Sequence, residues 1–297
     1  MNLVKVILII SVFWAGEGRA QVSTSGAQPV ANPPAAAPVL VASSSTAHLQ
    51  KGWPLVLSIG LLHPRAVMPE GQVRSVGDFV IEAPHGGWEQ YLSIEIFFRQ
   101  NRNSKQVQLP LRRVDGPVRR LVLTSDKSRF FLRYTLPPDE TANLTAGQYF
   151  IVARLDTTRG SSDNGWRGVL NASQVFYMME QSSALPSSEG CRRALAHSDY
   201  FETIGSPDET LKALDDYLPT AQPGTAAMCL NRRASFAEAA GDLKLARDYY
   251  CKASHDSTVH IWELEKSRKK GEQAPHYTRS IFDENCERLT KLFGKMK

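Results

Sequence analysis

Before Glu180 the chain is a series of short runs rich in Val, Ile, Leu, Phe and Tyr, each cut by Pro, Gly, Asn or Asp; after Gly190 helical periodicity takes over. This change of texture points to a β part followed by an α part, not to an alternating βα order. The runs predict strands over Val39–Ala42, Pro54–Leu62, Asp78–Ala83, Tyr91–Phe98, Gln106–Arg112, Val118–Thr124, Arg129–Thr135, Gln148–Leu155 and Gln174–Met179. Several alternate. In Leu55–Leu61 one set of side chains is expected inward and the other outward, and Leu92, Ile94 and Ile96 share a face. Strands at this spacing, without helices between them, imply an antiparallel sandwich or barrel over residues 38–180.

Residues 181–190, with four Ser and a Pro, are expected to link this part to a helical one over residues 191–297. The predicted helices are Cys191–Ile204, Pro207–Leu218, Gly224–Ala240, Leu243–Ser254, Thr258–Lys270 and Ser280–Met296. Between Cys229 and Cys251, Gly241-Asp242 stops one helix and starts the next. Small residues crowd the first arm, and Ala246, Tyr249 and Tyr250 follow the turn at helical spacing. With Ala253, this pattern resembles the tetratricopeptide repeat. A degenerate second copy lies upstream, where Ala213 and Tyr217 precede Ala246 and Tyr250 by roughly the family period of ~34 residues. Arg232 and Arg233 depart from the pattern, since they fall near positions that are usually apolar or small. In the β part, Leu144–Asp156 is similar to the late strand of immunoglobulin-like modules, where a small turn precedes an aromatic that closes the sandwich end. No Cys pair lies in that region, so the likeness is one of architecture. The fold expected is an immunoglobulin-like antiparallel β-sandwich followed by an α-helical tetratricopeptide-like domain. Both resemblances imply families that mainly make protein contacts.

Lys5 followed by the apolar run Val6–Ala15, with small residues at Gly18 and Ala20, reads as a secretory signal over residues 1–20. The run is too short to span a bilayer, and no later stretch is apolar enough to do so. Residues 21–37, rich in Pro, Ala and Ser and without charge, read as a flexible leader. An exported protein is expected, periplasmic or secreted.

Within Arg99–Arg133 ten basic residues face two acidic ones, Asp115 and Asp126. Arg112, Arg113, Arg119, Arg120, Arg129 and Arg133 are candidates for an anion-seeking sheet face suited to an anionic polysaccharide. Strand alternation also allows a simpler outcome, a solvated outer face with neighbours such as Arg112 and Arg113 sent to opposite sides. Nucleic acid is not expected in an exported chain without a recognised binding motif. The loop Pro84–Trp88 places His85 beside two glycines, with Trp88 as a stacking platform; the alternative is a strand connection with Trp88 packed as a lid.

The four cysteines, Cys191, Cys229, Cys251 and Cys286, all lie in the helical part, and an even count in an exported chain implies disulfides. Hairpin geometry favours Cys229–Cys251, which leaves Cys191–Cys286. Cys251, His255 and His260 are the nearest approach to a metal set, but no Cys-x-x-Cys or His-Glu-x-x-His spacing supports one. There is no Gly-x-Ser-x-Gly elbow, and no glycine-rich phosphate loop. Asp126, Asp139-Glu140 and Asp215-Asp216 have no evident acid–base partner. The expectation is a non-enzymatic protein without cofactor that binds a protein partner. The rival is a carbohydrate- or polyanion-binding module that uses the Arg-rich sheet face and Trp88, and an enzyme would need His85 to meet carboxylates in a cleft.

Overall fold

The structure, a computed structural model, describes residues 37–67, 76–83, 86–100, 103–158, 165–180, 187–268 and 280–294. The expected signal, the leader apart from Ala37, and His85 lie outside the described residues. Eleven strands and a short helix come first: β1 (Val39–Ser44), β2 (His48–Gln50), β3 (Leu55–Leu62), β4 (Phe79–Glu82), β5 (Leu92–Gln100), β6 (Asn103–Val107), β7 (Arg112–Arg113), β8 (Arg120–Leu123), β9 (Arg129–Leu136), α1 (Pro138–Ala142), β10 (Gly147–Asp156) and β11 (Val169–Met179). Five helices follow: α2 (Ser187–Thr203), α3 (Pro207–Asp215), α4 (Ala227–Ala239), α5 (Leu243–Ser267) and α6 (Ile281–Gly294). A β part thus precedes an α part, and no helix among the described residues is long and apolar enough to cross a membrane.

One sheet runs β1-β3-β9-β7, a second β2-β11-β10-β5-β6, and β4 pairs β8. All pairings are antiparallel except β2 with β11. The inward residues of both main sheets, among them Leu57, Ile59 and Leu132 from one and Ile151, Ala153 and Phe176 from the other, form one buried cluster. Burial of such side chains, at about 25 cal/mol per Å² of apolar area, is the main force that holds the sheets together. The strand expected over Gln106–Arg112 is split into β6 and β7, because Pro110 falls between them and brings no N–H to a ladder. On β3 both side-chain sets are buried, against the expected inward and outward alternation. The outward set is covered as well: a Cβ on Gly60 would lie 2.4 Å from the Phe131 ring, so only glycine lets that ring cross the strand.

Helix α2 covers the rest. It packs on β3 and β9, whose outward Val56 and Thr135 are buried, and Ala196 joins the sheet cluster. Residues 187–190, expected within the linker, are its first turn. All described residues belong to one compact unit, Ala37–Lys297, so the helical part and the β part share buried surface.

In the hairpin of α4 and α5, Gly241 takes φ 83°, a conformation that disfavours any residue with a Cβ, and Asp242 Oδ1 accepts from the Leu245 N–H at 3.0 Å. Ala234, Ala237 and Ala246 are buried along the seam with Tyr250. Tyr217, the expected counterpart of Tyr250, stands beyond the end of the short α3. Helix α5 is unbroken where two helices were expected. The polar residues that suggested a break find partners elsewhere: Ser254 bonds Asp283, and Asp256 accepts from the backbone N–H groups of Gly224 and Ala226.

The disulfides are Cys191–Cys229 and Cys251–Cys286, with Cα separations of 5.8 and 4.7 Å, so the expected pairing is overturned. Equal distance from the turn was the wrong criterion. Successive helical residues rotate by about 100°, which turns Cys251 roughly 100° from Tyr250 and roughly 140° from Ala246, the residues that face α4. Cys251 therefore meets α6, and Cys229 meets α2 in a cluster with Ala194 and Leu214.

Candidate binding surfaces

The six candidate arginines do not converge. Arg112 is exposed on β7 opposite Thr135, and Arg129 and Arg133 project from β9 on the side away from the core. Arg112 and Arg129 sit near opposite ends of β9, about 20 Å apart at the rise of a strand. Arg113 turns the other way and donates to Glu89 Oε1 at 2.6 Å. Arg119 is exposed just before β8, and Arg120 on β8 lies 4.0 Å from Glu82. Arg133 donates through Nη2 to Asp115 Oδ1 at 2.7 Å and through its backbone N–H to Oδ2 at 2.6 Å. Burial works against the Asp115 carboxylate, but these bonds hold its pKa below the usual range. The side chains of Arg112, Arg119 and Arg129 have no carboxylate partner among the described residues, and they lie on separate parts of the surface.

Trp88 is no platform. It is 0% exposed, meets Phe130 edge-on at 5.9 Å, and its backbone N–H donates to Val118 O at 2.9 Å. The short 3-10 turn that carries it plugs the core from one end, which leaves its ring no face for a ligand.

Concave surface lies on the helices instead. A groove of about 470 Å³ between α2 and α3 has Arg193 and His197 on one wall and Glu209, Lys212 and Asp216 on the other. Burial, then the nearby Arg193, lowers the His197 pKa, so its imidazole is neutral at neutral pH. A wider groove of about 730 Å³ runs along α5, with Leu218, Ala226, Leu230 and Val259 as apolar lining and Cys251 in its wall. Among the described residues no group of three or more His, Cys, Asp or Glu is placed to hold a metal ion.

Two ion clusters fix the helices around these grooves. Arg232, out of place in a repeat pattern, bridges Asp199 at 3.1 Å and Glu202, both on α2, and stacks on Phe236. Burial pushes the Asp199 carboxyl up to about 6, against the pull of Arg232. Arg288 of α6 donates from both terminal nitrogens to Glu238, at 2.8 Å each, while Tyr250 Oη donates to the same carboxylate at 3.0 Å. The hydrogen bond from Arg288 is the main reason that the Glu238 pKa is lowered. A carboxylate with a lowered folded-state pKa adds stability above its unfolded pKa and loses it as pH falls through the folded one. Docking of α6 should therefore weaken as pH drops below about 4.3, and Glu238→Gln should remove that acid dependence. Acid titration followed by amide exchange over α6 checks this; an unchanged acid profile in the variant would refute it.

No family model and no curated protein matches the chain. Among solved structures, the collagen-binding subdomain of the Enterococcus faecalis surface protein ACE is similar at 10% identity, over 50% of this chain and 99% of that chain, with a TM-score of 0.15. A likeness so loose carries no argument about ligand.

The sequence reading missed both grooves. Arg193 and His197, four residues apart on one helix face, were the available signal for the first. The second depends on how the chain between α3 and α4 crosses α5, which local sequence does not encode.

Proposed function

We propose that this chain is an exported, non-enzymatic protein-binding or scaffold protein of the cell envelope or extracellular space, built as an immunoglobulin-like sandwich that carries a tetratricopeptide-like helical array. One observation carries the binding role. Of the ten large apolar side chains that stand exposed among the described residues, seven belong to the helical part, Ile204, Met228, Leu245, Trp262, Leu264, Ile281 and Leu292, against Val67, Val169 and Tyr177 elsewhere. Where such side chains join into a contiguous patch, they mark a protein contact site. Trp262, 64% exposed on α5, is the largest such residue and of the type that dominates binding energy.

Supporting the sandwich reading, the order β1-β3-β9-β7 against β11-β10-β5-β6 parallels the ABED and GFC sheets of immunoglobulin domains. Tyr149, near the start of β10, donates from its hydroxyl to Thr145 O at 2.9 Å, in the manner of a tyrosine corner. Supporting the helical reading, α2 with α3 and α4 with α5 form successive pairs that turn at Gly205 and Gly241, both with positive φ. Export agrees with the two disulfides.

Crosslinking capture from the native envelope fraction tests the proposal, with wild type beside Trp262→Glu. A partner protein held by wild type should be retained about tenfold less by the variant, as for loss of an interface anchor. No partner above a tag-only control, or equal retention by both proteins, would end the reading.

A further inference from the structure

The two disulfides differ in access. Cys191 and Cys229 are 4% and 0% exposed and sit in a closed cluster. Cys251 and Cys286 are both only half-buried, and Cys251 forms part of the wall of the 730 Å³ groove along α5. That groove has a mixed lining, with Leu230 and Val259 as apolar members and Asp248, Lys252 and His255 beside Cys251 on α5. A molecule in the groove therefore stands against the Cys251 end of the bridge.

What the bond holds is also plain. Helix α6 packs on α5, and further ties supplement the bridge: Ser254 with Asp283, the Arg247 guanidinium over the Phe293 ring at 5.0 Å, Arg288 with Glu238 of α4, and buried Leu289. Among the described residues the bridge is the one covalent tie between α6 and α5.

We propose that Cys251–Cys286 is a site of thiol–disulfide exchange, reached through this groove by a dithiol reductant, and that the bond latches α6 to α5. A thiolate of the reductant bonds to Cys251 Sγ, and the bond to Cys286 breaks with its electron pair on Cys286 Sγ. The second thiolate then attacks the reductant's sulfur in the mixed disulfide and expels Cys251 as thiolate. The reductant leaves as a disulfide. The chain gains two electrons, and its two cysteines take up the two protons that the dithiol gave up. Cys191–Cys229 stays intact because neither of its sulfurs is open to an incoming thiolate.

The test uses the purified full chain under native conditions. One arm receives dithiothreitol, the other a Cys-x-x-Cys oxidoreductase kept reduced, which separates a small dithiol from a protein one. Samples are quenched by alkylation and mapped without reduction. Cys251 and Cys286 should become alkylated at least about tenfold faster than Cys191 and Cys229 in one arm or both. Equal rates, or faster reduction of Cys191–Cys229, would overturn the proposal. In the selectively reduced chain, amide exchange over Ile281–Gly294 should rise about tenfold while Ala227–Ala239 keeps its protection. If α6 stays as protected as before, the bond is not its latch.

Discussion

Trp88→Ala should lower the unfolding free energy by about 3–5 kcal/mol, the usual cost of deleting a large buried ring. The ring is wholly buried in the cluster that both main sheets share, and no neighbour can fill the void without moving a strand. Trp88→Phe should cost clearly less, since it keeps most of the packing and removes a buried indole N–H that has no protein partner among the described residues. Urea unfolding monitored by circular dichroism measures both. A loss below about 1 kcal/mol for Trp88→Ala would mean that the ring lies at the surface after all. The same variant separates two roles for this residue: a ligand platform would leave stability untouched.

Replacement of both Cys191 and Cys229 by Ala should cost about 4 kcal/mol, the loop entropy released when a bridge spanning 38 residues is lost. The substituted side chains remain apolar in an apolar cluster, so little of that cost should come from burial. The transition should shift toward lower denaturant with a similar slope. A change under about 1 kcal/mol would show that α2 and α4 are held by packing alone. Peptide mapping without reduction provides the structural control, with Cys191 linked to Cys229 in the wild type.

The order of β then α was legible because period and punctuation are local properties. Tyr149, Ile151, Ala153 and Leu155 alternate in the sequence, and all are buried on β10. What escaped notice depends on contacts between distant residues. The cysteine pairing followed from which face of α5 meets α4, and counting from a turn cannot give that face. Trp88 and its loop look alike in sequence whether the ring plugs a core or greets a ligand; Phe130 and Val118, remote in the chain, decide the matter. The cluster of arginines was visible as composition. Strand alternation already allowed Arg112 and Arg113 to part, but the ion pairs that occupy Arg113 and Arg133, with Glu89 and Asp115, were not visible there.

Helix α2 belongs to both parts of the molecule: Ala196 is packed into the sheet cluster, and Cys191 is bonded covalently to α4. The junction therefore has no swivel. A load on the helices passes through α2 into β3 and β9, the two interior strands of their sheet. A chain arranged in this way presents its helical surface at a set angle to its β part.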